Sequence, residues 1–336
     1  MSARTFALTA RLVEQVGSTP AGSTVLVDVD GPDDVAVVHR WCEATGNTVL
    51  AVHEAAVEIY RGRPSDPVAV LPADRRPGHR LWVYTNFHCN LACDYCCVSS
   101  SPRADPRIIP VDDFAALVDA AVDAGVRELY LTGGEPFLLL DLVERLGHAT
   151  AALPTTVLTN GMLWRGERRR RLEALPRANL TLQISLDSVD PELHDRHRGP
   201  GSHRRARDGI ELALSLGFRV RVAATLAADA ADAADEQRRL IELFDELGLE
   251  DDQRVVRRVA RQGAANTGLV VSRASLVPEV CVSADGVWWH PVAATDPSMR
   301  VADDWRPLAP LIDAITGEFR AHRLRGDVLA STFPCA

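Results

Sequence analysis

The feature that most constrains this chain is a regular alternation of strand-like and helix-like runs that begins at residue 80. Each short run of apolar and β-branched residues is followed by a longer amphipathic run with helical spacing. The predicted strands cover 81–86, 127–132, 155–159, 179–186, 218–225 and 253–257, and the predicted helices cover 111–124, 138–151, 166–174, 203–216 and 232–247. Repeats of this length join parallel strands through right-handed crossovers.

Six strands are too few for a complete eight-stranded barrel. The alternation therefore predicts an α/β fold, either a partial (β/α)6 barrel of the TIM type or an open wound sheet. In both architectures the catalytic groups lie at the carboxyl ends of the strands. We therefore look for functional residues in the segments that directly follow each predicted strand.

The segments on either side of this core, which we place at 80–262, have different patterns. Residues 1–64 predict a small α/β domain in which a first helix is followed by a strand, a helix and two more strands, a βαββ order. Residues 65–79 are rich in proline and predict a linker. Residues 263–336 predict an extension with a β-hairpin over 279–292, turning at Asp285-Gly286, and a helix over 307–323.

Charge and hydropathy exclude several classes of function. The net charge is −9, which disfavours a nucleic-acid partner because phosphate binding favours the opposite sign. All 37 basic residues are arginine. Five of those arginines lie between Arg165 and Arg171, where a solvated helix face explains them. No apolar stretch approaches the ~20 residues of a membrane span. The first residues lack the apolar core of a signal peptide, which leads us to expect a cytoplasmic protein without a membrane partner.

The cysteines carry the strongest chemical signal. Of the seven, four lie within nine residues and directly follow the first predicted strand of the core. An odd count with such clustering is typical of metal binding or catalysis rather than of a disulfide framework. Thiolates are the usual protein ligands of iron–sulfur clusters, and a CxxxCxxC spacing can hold three irons of a [4Fe–4S] cluster through Cys89, Cys93 and Cys96.

A zinc knuckle is the alternative interpretation of the same residues. A structural zinc site requires four ligands. Cys97 and His88 are each adjacent to another candidate ligand, and neighbouring residues rarely point at one ion. The spacing therefore favours a cluster in which the fourth iron lacks a protein ligand.

The CxxxCxxC motif, with Tyr95 before its last cysteine, resembles the radical S-adenosylmethionine (radical SAM) superfamily over about residues 80–262. The resemblance implies that Cys89, Cys93 and Cys96 bind the cluster and that S-adenosylmethionine chelates the open iron. It places Tyr95 near the adenine. It also implies an electron from a flavodoxin or ferredoxin, reductive cleavage of the cofactor, and a 5′-deoxyadenosyl radical that takes a hydrogen atom from the substrate.

Further segments at successive strand ends are similar to motifs of this superfamily. Thr132 to Pro136 (TGGEP) resembles a segment that receives the ammonium group of the cofactor, which implies roles for Gly133, Gly134 and Glu135. Thr159-Asn160-Gly161 lies where ribose or substrate contacts occur, and a plain Asn-Gly turn is the alternative.

The next strand end carries the last of these motifs. In the SLDS segment, Ser185 is expected to touch the cofactor and Asp187 to brace the site. Arg198, or less favourably Arg196, is expected to pair with the cofactor carboxylate, because a guanidinium suits a carboxylate.

The flanking segments suggest two further resemblances. Residues 1–64 resemble sulfur carriers of the TusA type, but those carriers use a cysteine before the first helix, and this chain has none before Cys42. We expect Cys42, which lies inside a predicted helix, to pack in a core. The extension resembles a reduced SPASM or Twitch domain, in which only Cys281 and Cys335, with Cys97, could bind a second cluster. A three-cysteine cluster, a hydrogen-atom donor and a structural role all remain open for Cys281 and Cys335.

Three outcomes compete at this stage. The favoured one is modification of a small molecule or peptide in a biosynthetic pathway, with sulfur insertion as a sharper version. The second is radical epimerisation in which Cys281 or Cys335 returns the hydrogen atom. The third is a non-catalytic iron–sulfur scaffold or sensor.

Overall fold

The chain forms two compact units in a computed structural model that describes residues 3–53, 55–226, 233–324 and 335. The first unit contains residues 1–76, 272–278 and a segment that begins at Thr316. The second contains residues 77–271, 279–315 and 334–336. The domain boundaries expected from the sequence stay a prediction.

The first unit packs two helices against a three-stranded sheet. Its elements are α1 (Ala3–Ser18), β1 (Thr24–Asp28), α2 (Pro32–Thr45), β2 (Thr48–Val52) and β3 (Ala56–Tyr60). The strand order is β1-β3-β2, and β3 runs antiparallel to both neighbours. The core of this unit contains the inward residues of both helices and all three strands, including Leu12, Val38 and Ile59, together with Cys42.

The second unit is built on one nine-stranded sheet. Six strands are parallel and alternate with helices: β4 (Arg80–Tyr84), α3 (Val111–Asp123), β5 (Glu128–Thr132), α4 (Leu142–Ala152), β6 (Thr155–Thr159), α5 (Glu167–Glu173), β7 (Leu180–Ser185), α6 (Pro191–Arg198), α7 (Ser202–Ser215), β8 (Arg219–Leu226), α8 (Ala233–Glu246) and β9 (Arg254–Arg258). Then follow β10 (Cys281–Ser283), β11 (Gly286–Trp288) and β12 (Arg300–Ala302). The last helix, α9 (Leu308–Leu324), begins in the second unit, and its residues from Thr316 onward are assigned to the first.

The strand order is β12-β11-β10-β4-β5-β6-β7-β8-β9, which confirms the predicted α/β fold with a parallel core. The predicted start of the helix over 232–247 lies partly outside the described residues, since residue 232 is not among them.

Several details of the second unit go beyond the sequence expectation. The predicted hairpin joins the core sheet, because β10 pairs in parallel with β4. Its turn is formed by Ala284 and Asp285, since Ser283 and Gly286 are paired strand residues. Helix α6 and strand β12 are additional elements that the sequence pattern did not indicate.

The two faces of the parallel sheet have opposite chemistry. One face is mostly aliphatic, and its aliphatic residues in the centre of the sheet are fully buried: Leu81, Val83, Leu129, Leu131, Val157, Leu182, Ile184, Val220 and Val222. Thr155 and Thr159 on β6 and Arg254 and Arg258 on β9 share this face. Helices α4 and α7 contact the sheet, as expected for a parallel sheet whose crossovers cover a face. The other face, called the polar face below, carries Trp82, Tyr84, Tyr130, Thr132, Gln183, Ser185, Arg221, Thr225 and Arg257, which the strand register places side by side. The reacting groups are therefore expected on the polar face and at the carboxyl strand ends.

None of the helices in the described part of the chain combines the length and the hydropathy needed to cross a membrane.

Cys42 provides a test of the first unit. Its side chain is fully buried, and burial raises the pKa of its thiol to about 12. We expect Cys42→Ala to lower the local free energy of unfolding by about 1 kcal/mol, the value for one buried methylene-sized group. Cys42→Ser should cost roughly 1–3 kcal/mol more, because a hydroxyl would be buried without a partner. Amide hydrogen exchange in β1, β2 and β3 measures both, and equal stability of the two variants would contradict a core role.

Candidate functional site

The cysteine loop directly follows β4, at the carboxyl edge of the parallel sheet. All seven cysteines of the chain are described, and none of them forms a disulfide. Cys89 is buried, and Cys93 and Cys96 are partly exposed. The backbone N–H groups of Leu91 and Ser100 donate to the sulfurs of Cys89 and Cys96, at 3.4 and 3.3 Å. The loop thus presents three thiols, two of which already receive a backbone donor of the kind that stabilises a negatively charged sulfur.

Burial controls the protonation of these thiols in the absence of metal. It raises the pKa of Cys89 to about 12 and that of Cys93 to about 11. The guanidinium of Arg198 acts in the opposite direction and lowers the pKa of Cys93. Deprotonation of Cys89 and Cys93 at neutral pH therefore requires a bound cation, which is the usual consequence of metal ligation.

The described residues contain no group of three or more histidine, cysteine, aspartate or glutamate side chains close enough to hold one metal ion. A cubane makes a different demand, because each thiolate binds its own iron atom. The donor set of three thiols on one loop suits such a cluster in type and number.

Gly133 and Gly134 hold the beginning of the cysteine loop by direct backbone contact. The N–H of Gly134 donates to the carbonyl oxygen of Asn86 at 2.9 Å, and the N–H of Glu135 donates to that of His88 at 2.9 Å. A Cβ at Gly134 would lie 2.1 Å from the carbonyl oxygen of His88, and one at Gly133 would lie 2.4 Å from the side-chain oxygen of Asn86. The glycine pair is therefore required for the loop to lie against the end of β5.

Glu135 ties the end of β5 to the end of β6. Its side chain is fully buried and accepts from the N–H of Phe137 at 3.0 Å, the hydroxyl of Thr159 at 2.7 Å and the N–H of Asn160 at 2.8 Å. Burial raises the pKa of this carboxyl, while the three donors lower it. The expected contact of Glu135 with a cofactor ammonium group stays a prediction, and its present partners belong to the chain.

Asn160 connects β6 to the cysteine loop. Its side-chain nitrogen donates to the side-chain oxygen of Asn90 at 2.9 Å, and its side-chain oxygen accepts from the N–H of Met162 at 3.1 Å. Asn160, which is expected to touch the cofactor, therefore contacts the residue that follows Cys89 in the sequence. Its backbone N–H also contacts Glu135.

Asp187, Arg198 and Tyr95 form a buried cluster beneath the cysteine loop. Both Nε and Nη2 of Arg198 donate to the carboxylate of Asp187, and the hydroxyl of Tyr95 donates to the same carboxylate. Arg198 Nε also donates to the hydroxyl oxygen of Tyr95 at 2.9 Å. Burial is the largest single influence and raises the pKa of Asp187, but the charge and hydrogen bonds of Arg198, together with His194 and Tyr95, lower it by more, so the pKa is lowered.

This cluster brings together three residues that the sequence assigned to the cofactor. Arg198 is the last residue of α6, and its Nε and Nη2 atoms engage Asp187. The bracing role expected of Asp187 and the pairing of Arg198 with a cofactor carboxylate stay predictions. Ser185 lies two residues before Asp187, partly exposed on the polar face.

Several functional residues were missed by the sequence analysis. His194 on α6 accepts from the N–H of Asp187 through Nδ1 at 3.1 Å. Gly263 lies against the cysteine loop, where a Cβ would come within 2.4 Å of the carbonyl oxygen of Cys96. Arg257 on β9 donates to the hydroxyl of Thr225 at 3.1 Å. Thr225 itself, whose N–H donates to Asp187 at 2.9 Å, lies at the end of the predicted strand over 218–225 and is a candidate from the sequence already. None of the missed residues stands in a recognisable motif, since each acts through a partner distant in sequence.

The remaining thiols lie around Tyr84 on the polar face. The sulfur of Cys97 is 3.8 Å from the Tyr84 hydroxyl. Burial raises the pKa of Tyr84, and the neighbouring thiols of Cys97, Cys281 and Cys335 raise it further. Cys281 lies in β10, and the carbonyl oxygen of Cys335 is held by Gln183 and Arg257. The expected roles of Cys281 and Cys335 in catalysis stay predictions.

Comparison with known proteins shows that the part of the chain that contains this site is similar to a known family. Residues 83–228 match the family model of the radical SAM superfamily. That superfamily uses a [4Fe–4S] cluster and S-adenosylmethionine, the two cofactors predicted from the sequence.

Similar proteins occur in cofactor and peptide biosynthesis. The chain is 32% identical over 141 residues to GTP 3′,8-cyclase 3 of Mycobacterium bovis, a match that covers 39% of this chain and 36% of that protein. It is 36% identical over 149 residues to the antilisterial bacteriocin subtilosin biosynthesis protein AlbA of Bacillus subtilis, covering 44% of this chain and 33% of that protein. The matches thus span about a third of the length of these relatives.

Solved structures show the same fold. Native anSMEcpe with bound AdoMet superposes with a TM-score of 0.53 at 13% identity, over 72% of this chain and 83% of that chain. The same protein with bound AdoMet and a peptide gives a TM-score of 0.52 at 14% identity, over 72% and 82%.

The glycine contact predicts the effect of a single methyl group on metal loading. Gly134→Ala must displace the backbone of His88, so we expect the iron retained after anaerobic reconstitution to fall several-fold. Gly147→Ala is the matched control, because no atom in the described part of the chain lies within 4 Å of its added Cβ and alanine favours a helix by up to about 1 kcal/mol. Equal iron content in the two variants would show that the loop does not depend on this contact.

His194 predicts a dependence of stability on pH. Burial lowers its pKa from 6.5 to about 4, so between these values the unfolded chain binds a proton that the folded chain does not. The free energy of unfolding should therefore fall as the pH drops from 6.5 towards 4, by up to ~3 kcal/mol from this residue. His194→Gln should flatten that slope in urea denaturation, whereas His148→Gln, which alters an exposed residue of α4, should leave it unchanged.

Proposed function

Because residues 83–228 match the family model of the radical SAM superfamily, we propose that this chain is an enzyme that cleaves S-adenosylmethionine reductively. In this proposal it then removes a hydrogen atom from a small-molecule or peptide substrate in a biosynthetic pathway. The observation that carries the proposal is the set of three free thiols, Cys89, Cys93 and Cys96, at the carboxyl end of the first core strand. The buried ion pair of Asp187 and Arg198 lies beside them.

Cys89, Cys93 and Cys96 would hold the [4Fe–4S] cluster. Three thiolates leave one of four irons for another ligand, and the low exposure of Cys89 limits access of water to that side of the loop. When bound, the cluster supplies the single electron that the cleavage requires.

The other residues of the site would bind and orient S-adenosylmethionine. Gly133, Gly134 and Glu135 fix the loop from the β5 side, and Asn160 reaches it from β6. Asp187 and Arg198 hold the ring of Tyr95 from below, so its orientation is set before any ligand arrives. We assign cofactor contacts to these residues and to Ser185, which faces the same side of the sheet.

The first unit is proposed to bind a partner or the substrate rather than to donate sulfur. Its only cysteine, Cys42, is fully buried with a strongly raised pKa, which is unsuited to carrying a persulfide. Despite its resemblance to TusA-type carriers, this unit is therefore not the proposed sulfur donor. Sulfur insertion would require sulfur from another source. A flavodoxin or ferredoxin reductant, a cytoplasmic setting and the absence of a nucleic-acid partner complete the proposal.

Radical epimerisation is the second candidate, favoured by the thiols around Tyr84. Cys281 and Cys335 are both buried near the polar face, where either could return a hydrogen atom. This outcome predicts incorporation of one deuteron from solvent into the product.

The central test is anaerobic reconstitution followed by iron counting and an assay for 5′-deoxyadenosine with dithionite as the reductant. We expect the native chain to retain about four irons and to form 5′-deoxyadenosine. Cys93→Ala should reduce its formation by more than about 100-fold, since even changes beyond the metal ligands commonly cost 10–100-fold.

Cys42→Ala is the matched control, and it should retain both the iron and the product. An intact cluster without 5′-deoxyadenosine in the native chain would support a scaffold or sensor instead. Undiminished product from Cys93→Ala would exclude the assigned cluster.

A further inference from the structure

We propose that Gln183 and Arg257 form a binding site for a main-chain amide of a peptide substrate, and that the carbonyl group of Cys335 fills this site in the present structure. That such a peptide is a substrate rests on the function proposed above. The site itself rests on contacts within the second unit.

Two donors from different strands converge on one carbonyl oxygen. Gln183 on β7 donates from Nε2 to the oxygen of Cys335 at 3.1 Å, and Arg257 on β9 donates from Nη1 to the same oxygen at 2.9 Å. The strand register explains this convergence. Gln183 pairs with Arg221 on β8, and four residues further along β8, on the same face, Thr225 pairs with Arg257.

Gln183 has an acceptor that this occupant does not use. Its side chain is 1% exposed, and its Oε1 atom has no hydrogen-bond partner among the described residues. A buried acceptor without a partner costs about 1–3 kcal/mol, which a ligand N–H would recover. A carboxamide offers one donor face and one acceptor face, and a peptide group presents the complementary pair of C=O and N–H.

The site is adjacent to the residues assigned to the cofactor. Arg257 Nε donates to the hydroxyl of Thr225, whose N–H donates to Asp187. Ser185 follows Gln183 by two residues and therefore lies on the same face of β7. A peptide held at this point would lie beside the cofactor, as hydrogen-atom transfer requires near-contact geometry.

A peptide fits the site better than an anionic ligand does. The neutral Gln183 supplies one of the two donors, and Arg257 already uses Nε for Thr225. A carboxylate or phosphate would favour paired cationic donors. The present occupant is itself a peptide carbonyl, so the donors already have the geometry that such a group requires.

Occupation by Cys335 makes the site self-inhibited. An incoming peptide must displace the Cys335 carbonyl, and its apparent affinity falls by the fraction of molecules in which the site is filled. Displacement also releases the Cys335 thiol, which gives the site a readout that does not depend on cleavage of S-adenosylmethionine.

The experiment follows alkylation of Cys335 by iodoacetamide in the reconstituted full chain, measured by mass spectrometry. Gln183→Met and Arg257→Met should each raise the alkylation rate about fivefold, the factor for one lost hydrogen bond of about 1 kcal/mol. Because both donors bind one oxygen, the double variant should depart from the product of the single effects. Gln262→Met is the matched control, since Gln262 donates to Asp296 and should leave the rate unchanged.

The ligand class is tested with an acetylated tetra-alanine amide and its analogue in which one ester replaces an amide. We expect the amide to accelerate alkylation of Cys335 in the native chain and the ester to do so less, because it lacks the N–H for Gln183. Equal effects of the two probes, no effect of either, or unchanged rates in both single variants would overturn the proposal. Thermal unfolding of each variant separates release of Cys335 from general loss of structure.

The two proposals fail separately. Absence of 5′-deoxyadenosine with normal displacement of Cys335 would refute the enzymatic function and leave the amide site standing. Normal 5′-deoxyadenosine formation without displacement would refute only the amide site.

Discussion

The carboxylate of Asp187 is the interaction on which the rest of the site depends. It is buried, and it accepts from a guanidinium, a phenol and a backbone N–H contributed by α6, the cysteine loop and β8. A buried ion pair contributes little net stability compared with well-packed apolar residues, but removal of one partner commonly costs 3–5 kcal/mol. The Asp187 carboxylate therefore acts by positioning its partners. It holds together three segments that are far apart in the sequence.

The same logic repeats at Glu135, which is a second buried carboxylate at a neighbouring strand end. Glu135 and Asp187 differ in how their charge is compensated. Asp187 faces a cation, and its pKa is lowered, whereas neutral donors surround Glu135 and burial raises its pKa. The cysteine loop is therefore held by two buried carboxylates of unlike electrostatic character. Arg198, the cationic partner of Asp187, lies near Cys93.

Local sequence patterns predicted the parts of the fold that local forces determine. The strand over 155–159 agrees with the structure to the residue, because Pro154 precedes it and Asn160-Gly161 follows it. Cys42 was correctly expected in a core, as its position on the inward side of α2 indicates. The cysteine loop was likewise placed at a strand end by spacing alone.

The elements that were missed depend on contacts between distant residues. Helix α6 is short and mostly polar, and it is held by Asp195 and His194 rather than by an apolar stripe. The pairing of β10 with β4 joins residues about two hundred positions apart, and no local pattern reports such a choice of partner. Gly263 and the Gln183–Arg257 pair were missed for the same reason.

The pairing of β10 beside β4 also changes the character of the strand from which the cysteines emerge. With β5 on one side and β10 on the other, β4 is an interior strand whose backbone groups are bonded along both edges. Interior strands open rarely, and edge strands fray. The beginning of the cysteine loop is thus anchored by main-chain pairing alone, so the strand that carries the loop does not depend on what the loop binds.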